Sequence, residues 1–265
     1  MNSQPIGVFD SGIGGLTVVR SLMEHLPHEN LIYFGDTARV PYGSKSSQVI
    51  REYAIQDTEF LLSKNVKMIV IACNTVSSVA LDVVIKRSKL PVIGVIQPGA
   101  ETAVKSTKNK RIGVIGTPAT ILSNTYTNTI RQIDSSIETF SRACPLFVPL
   151  AEEGFIEHPA TELIAKEYLF DLKLKKIDTL ILGCTHYPIL SKIIQKVIGD
   201  NVNLIDSGEC AAHQVKKVLE ETGLKNLSKL KANLEFYVSD LPHKFTEIGE
   251  RFLGKKMGKV KVVHL

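Results

Sequence analysis

Ile69-Val70-Ile71-Ala72-Cys73-Asn74-Thr75 and, 111 residues further on, Leu180-Ile181-Leu182-Gly183-Cys184-Thr185-His186 share one form. Each is an unbroken apolar run that ends on a small residue, then a cysteine, then hydroxyl, amide or imidazole groups. Continuous runs of this kind suit strands of a parallel sheet buried on both faces, where no polar residue has to alternate with the apolar ones. A second pair repeats at a near-equal offset of 106: Ile6-Gly7-Val8-Phe9-Asp10-Ser11 with Ile112-Gly113-Val114-Ile115-Gly116-Thr117. Two pairs at similar offsets imply two similar α/β halves.

The rest of the chain fits that frame. Further strands are expected at Leu31–Phe34, Val92–Val95, Val202–Ile205 and Phe236–Val238, beside Ile6–Phe9, Met68–Ala72, Ile112–Ile115 and Thr179–Leu182. Amphipathic stretches lie between them at Ser46–Ser63, Val76–Arg87, Ala160–Leu172 and Ile189–Ile198. This alternation predicts an α/β fold with right-handed crossovers: two pseudo-symmetric three-layer domains with mainly parallel sheets and an active site in the cleft between them. Ile96-Gln97-Pro98-Gly99 and Asp206-Ser207-Gly208 read as hinges. They divide the chain into a discontinuous first domain, 1–97 plus 207–265, and a second domain, 98–206, with the C-terminal segment returning to the first half.

Composition narrows the class. The 265 residues are 44% hydrophobic and 22% charged, close to globular averages, and a chain of this length buries a sizeable core without covalent staples. A disordered, collagen-like or disulfide-scaffold protein is excluded. The net charge is +5. Lys255, Lys256, Lys259 and Lys261 gather near the C-terminus, but no aromatic residues interleave there to stack bases, so they read as solvated surface and no nucleic-acid partner is expected. No apolar run approaches the ~20 residues of a membrane span. Met1 to Pro5 leads straight into Ile6–Phe9, without the charged start and long apolar region of a secretory leader. Cys73, Cys144, Cys184 and Cys210 form no CxxC pair, so free thiols and a cytoplasmic location are expected.

Open α/β sheets bind ligands beyond the carboxyl ends of their strands, and the reactive residues fall there. Asp10 and Ser11 follow the first strand; Asp36, Tyr42 and Gly43 the second; Cys73, Asn74 and Thr75 the third. Thr117 follows Ile112–Ile115, and Cys184, Thr185 and His186 follow Thr179–Leu182. Cys144, beside Pro145, and Cys210, in a helical Cys210-Ala211-Ala212 run, read as small buried hydrophobes. Cys73 and Cys184 instead end strands and open helices, whose N-termini favour a thiolate. Two thiols, one from each half, suit a substrate and product that are mirror images. One sulfur takes a proton from a stereocentre and the other returns one to the opposite face. His186 can handle the proton of Cys184, and Asp10 that of Cys73. Ser11, Asn74, Thr75 and Thr185, with backbone N–H groups at helix starts, suit a carboxylate. Gly12-Ile13-Gly14-Gly15 fails the GxGxxG spacing because residue 17 is Thr. Cys73, Cys184 and His186 are too few ligands for a metal. No cofactor and no metal are expected. A two-lobed binding protein would explain the repeat but not a thiol at the same place in both halves, and a thiol oxidoreductase would need the missing CxxC.

Gly7–Gly15, Tyr33–Gly43, Ala72–Thr75, Gly113–Thr117, Leu182–Pro188 and Asp206–Gly208 together resemble the glutamate racemase family, within the aspartate/glutamate racemase superfamily, along nearly the whole chain. The resemblance implies cofactor-independent racemisation of L-glutamate to D-glutamate by a two-thiol mechanism, supplying D-glutamate for peptidoglycan. It implies Cys73 as the acid/base acting on D-glutamate and Cys184 as the one acting on L-glutamate. Asp10 and His186 become their proton-handling partners, and Glu152, with Glu153 as the alternative, an assisting acid. Asp10, Ser11, Tyr42, Gly43, Asn74, Thr75, Thr117, Thr185 and His186 become substrate contacts, in a homodimer. Aspartate or hydantoin racemases are the nearest rivals; Tyr33–Gly43 and Cys184-Thr185-His186-Tyr187-Pro188 favour glutamate. Some family members carry an N-terminal extension linked to activation by a peptidoglycan precursor. With five residues before the first strand, no need of that activator is expected.

Overall fold

The apolar runs form strands, and every strand pairing among the described residues is parallel. A computed structural model describes residues 3–228 and 230–265; Met1 and Asn2, at the head of the segment read as lacking a leader, lie outside them. The strands are β1 (Ile6–Asp10), β2 (Leu31–Gly35), β3 (Met68–Ile71), β4 (Val92–Gly94), β5 (Arg111–Gly116), β6 (Glu138–Ala143), β7 (Thr179–Gly183), β8 (Asn203–Asp206), β9 (Leu234–Val238) and β10 (Val260–Val262). They make a six-stranded sheet, β10-β9-β2-β1-β3-β4, and a four-stranded sheet, β6-β5-β7-β8. β1 pairs with β3 as β5 pairs with β7. The two cysteines thus follow corresponding strands, as the internal repeat implies.

Both faces of the central strands are covered. Ile6 and Val8 of β1 pack with Leu16, Val19 and Leu22 of the Leu16–His25 helix, while Phe9 turns to Phe34, Ile50 and Leu61 on the other side. In the smaller sheet, Leu180 and Leu182 join the core that holds Phe147 and Tyr187, and Ile181 joins Ala100, Ile112 and Tyr126. This is why no alternation shows in the sequence: a polar residue at any of these positions would be buried without a partner.

Ile96–Gly99, read as a hinge, is the start of a helix, Ile96–Ser106. Pro98 sits in its first turn, where an N–H has no intrahelical acceptor to lose. Asp206-Ser207-Gly208 is likewise a helix start: Asp206 Oδ1 accepts from the Gly208 and Glu209 N–H groups at 2.8 and 3.3 Å and caps the Ser207–Glu221 helix. These two helices carry the chain from one sheet to the other and back. They pack closely, since a Cβ on Gly99 would stand 3.3 Å from Ser207 Cβ. Val76–Arg87 is not one helix but two, Asn74–Val79 and Leu81–Ser88, broken at Ala80. No helix among the described residues is long and apolar enough to cross a membrane.

Phe34 is fully buried and packs at 4.8 Å, centroid to centroid, on Phe60. Phe34→Ala is expected to lower unfolding stability by about 3–5 kcal/mol, the range for a deleted core phenylalanine, as read by urea denaturation.

Candidate active site

The carboxyl ends of the two sheets bound one cavity of about 260 Å³. Ser11, Tyr42, Gly43, Cys73, Asn74, Thr75, Thr117, Glu152, Cys184, Thr185 and His186 line it. Asp10 does not; it lies beneath, fully buried. The walls that the sequence did not single out are mostly apolar: Val40, Pro41, Pro118, Pro145, Val148 and Pro149, with Gly12 and Ser44. Such residues exclude water and carry no reactive group, so nothing in their type marks them.

Cys73 ends the strand side of its turn as the residue before the Asn74–Val79 helix. Its Sγ stands 3.5 Å from Ser11 Oγ. Burial, and next the charge of Asp10, push its thiol up to about 12, against hydrogen bonds from Ser11 and from the Val76 backbone. Without substrate, Cys73 is a protonated thiol at neutral pH. Asp10 Oδ2 accepts the Gly12 N–H at 3.0 Å, while Oδ1 is buried with no hydrogen-bond partner. Burial raises the Asp10 carboxyl above its ordinary value, opposed chiefly by the charge of His186. An orphaned carboxylate oxygen next to the cavity is a place for a proton.

Cys184 has a different environment. Its Sγ is 3.8 Å from His186 Nδ1, and His186 Nε2 is 2.9 Å from Glu152 Oε1. Burial opposes protonation of this imidazole, but the hydrogen bonds and charges of Cys184 and Glu152 outweigh it and lift His186 to about 10. Glu152 is held below its usual range: burial raises it, and the hydrogen bond and charge of His186 overcome that. A protonated imidazole beside Cys184 can give its proton to the sulfur or face the charge left when the sulfur loses one. The acid in contact with His186 is Glu152, while the neighbouring Glu153 is exposed.

Hydroxyls knit the two sides together. Thr75 Oγ1 lies 2.9 Å from Thr117 Oγ1 and 3.3 Å from Thr120 Oγ1. Asn74 Oδ1 accepts the Tyr126 hydroxyl at 2.7 Å, and its Nδ2 donates to Ser207 Oγ at 3.3 Å, leaving one N–H for a ligand. Tyr42 is held from behind. Its hydroxyl donates to Asp36 Oδ2, and Arg39 bridges Asp36 Oδ2 and Asp57 Oδ1 at 2.5 and 3.0 Å. Burial and the charge of Asp36 keep the Asp57 carboxyl well above the usual range despite Arg39. Arg39 and Asp57 were not singled out from the sequence, because they act through Tyr42.

A sequence profile described as Asp/Glu/Hydantoin racemase matches residues 12–215. The chain belongs to this racemase family. Glutamate racemase from Chlorobaculum tepidum is 56% identical over 263 residues, 99% of this chain and 97% of that protein. A crystal structure of glutamate racemase from Francisella tularensis in complex with D-glutamate superposes with a TM-score of 0.94 at 46% identity, covering 99% of this chain and 98% of that one. The RacE1 glutamate racemase of Bacillus anthracis gives a TM-score of 0.96 at 37% identity, over 100% and 99% of the two chains. These racemases share the two-sheet α/β architecture that sets the cavity between the sheets. The chain is accordingly an isomerase of the racemase type.

His186 binds its proton more tightly folded than unfolded. Its contribution to stability is complete below its ordinary value of 6.5 and is lost as pH rises towards about 10. Unfolding free energy is expected to fall from pH 6.5 to about 8. Glu152→Gln, which removes the carboxylate partner, is expected to flatten that fall in urea titrations.

Proposed function

We propose that this racemase interconverts L- and D-glutamate without a cofactor, with Cys73 and Cys184 as the two acid/bases. What supports the reading is the cavity itself: corresponding strands of the two sheets each deliver a cysteine to it, and each sulfur has its own proton-handling partner. The likeness to a glutamate racemase crystallised with D-glutamate supports the choice of substrate.

In the direction from L-glutamate, the Cys184 thiolate takes the Cα proton and the Cys73 thiol returns one from the opposite face. In reverse the roles exchange. His186, hydrogen-bonded to Glu152, balances the charge at Cys184, and Asp10 serves Cys73. Ser11, Tyr42, Gly43, Asn74, Thr75, Thr117 and Thr185, with the open N–H groups at the start of the Asn74–Val79 helix, hold the carboxylates and the ammonium. The lobes 1–97 plus 207–265 and 98–206 would close on the substrate, and exclusion of water strengthens the fields that stabilise a carbanion.

The same proposal places the protein in the cytoplasm, supplying D-glutamate for peptidoglycan, as a homodimer. Leu163, Phe170 and Leu174 stand exposed along one side of the Pro159–Leu174 helix and offer an apolar face for a second copy. Light scattering at twice the chain mass would support that state.

Proton NMR of L-glutamate in D₂O with the purified protein tests the reaction. The Cα proton signal is expected to disappear as D-glutamate forms, with no comparable exchange on L-aspartate. Cys73→Ser and Cys184→Ser are each expected to slow net racemisation by about 10²–10⁴-fold, the usual worth of a general acid or base. Preferred exchange on aspartate would move the substrate assignment to the rival, and full activity in either variant would overturn the two-thiol reading.

A further inference from the structure

We infer that the protein carries a second, non-catalytic site: a divalent transition-metal site formed by His25, Glu209 and His213. His25 lies in the last turn of the Leu16–His25 helix, and Glu209 and His213 lie four residues apart on the Ser207–Glu221 helix. A spacing of four sets two side chains on one helix face. The two helices pack along an apolar seam in which Val18, Val19 and Leu22 meet Ala211, Ala212 and Val215. That packing fixes the backbones and brings the three side chains together at the rim.

The ligand atoms of His25, Glu209 and His213 all lie within 4.8 Å of one another. The two imidazoles are 4.1 Å apart, centroid to centroid, tilted by 46°. Donors about 2.0–2.1 Å from a tetrahedral ion stand about 3.3 Å apart, and the exposed side chains of Glu209 and His213 are free to rotate by the difference. Among the described residues, none of the three side chains has a hydrogen-bond or ion-pair partner in the protein, so no existing bond has to break. Two imidazoles and one carboxylate select zinc, cobalt, nickel or copper over magnesium or calcium, which prefer all-oxygen shells. The three protein donors leave coordination positions for water.

The ion would act as a staple. It would tie the helix that follows the Gly12–Gly15 loop to the helix that begins at Ser207, whose hydroxyl touches Asn74. Motif spacing does not reveal it, because His25 lies far along the chain from the other two residues.

Titration of metal-free protein with Co²⁺ and Zn²⁺ tests the inference by calorimetry and visible absorption. The expected result is one ion per chain, cobalt d–d bands without a thiolate charge-transfer band, and a melting temperature raised by Zn²⁺. His213→Asn and Glu209→Gln, each shown folded by circular dichroism, should weaken binding by more than about tenfold, which even an outer-shell partner can be worth, and should abolish the thermal shift. No saturable binding, binding unchanged in both variants, or a thiolate charge-transfer band marking the cysteines as the ligands would each overturn the inference.

Discussion

A methyl group on Gly14 would overlap Thr185 Oγ1 and His186 Nδ1, and one on Gly15 would stand 2.5 Å from Asp10 Cβ. This close approach of the loop after β1 to the turn after β7 is the constraint on which the site depends. It seats Thr17 so that its hydroxyl donates to the Thr185 carbonyl at 3.0 Å, and it leaves Ser11 beside the sulfur of Cys73. The glycines that fail as a dinucleotide-binding fingerprint thus have a packing purpose. They let one half of the chain lie directly on the Cys184–His186 turn of the other.

The pseudo-symmetry of the strands does not extend to the electrostatics. Cys73 is paired with a buried carboxyl that opposes loss of its proton, while Cys184 faces an imidazole whose proton is retained through Glu152. Burying charged groups is unfavourable unless they are paired and hydrogen-bonded, and the Cys184–His186–Glu152 chain meets that condition. The C-terminal helix adds to it from the other side. Arg251 donates to the Glu152 carbonyl at 3.0 Å, and the Phe252 ring meets His186 edge-on at 5.3 Å. The two sulfurs therefore stand in different surroundings, a buried carboxyl near Cys73 and an imidazole held by Glu152 beside Cys184.

Much of this could be read from residues alone, for a physical reason. β1, β3 and β7 are covered on both faces, so their sequences are uninterrupted apolar runs that end where the chemistry begins. The edge strand β6, Glu-Thr-Phe-Ser-Arg-Ala, is only partly buried and has no such signature, and β10 is three residues in a lysine-rich tail. The two stretches read as hinges are helix starts, because Pro98 and Gly208 are turn formers by type yet sit in first helical turns. Most residues that touch the cavity with polar groups were legible, Ser44 excepted. Those that act through another residue, as Arg39 and Asp57 do through Tyr42, were not, since their partners meet them only in the fold.

The most direct test of the central claim is isotopic composition at early conversion. L-Glutamate is incubated in D₂O, and deuterium at Cα is measured separately in product and in remaining substrate. Two sulfurs on opposite faces require the first D-glutamate formed to carry solvent deuterium while the remaining L-glutamate keeps its proton. Product that retains the original proton, or deuterium entering the L-glutamate pool as fast as product forms, would mean that one group serves both faces and would contradict the account.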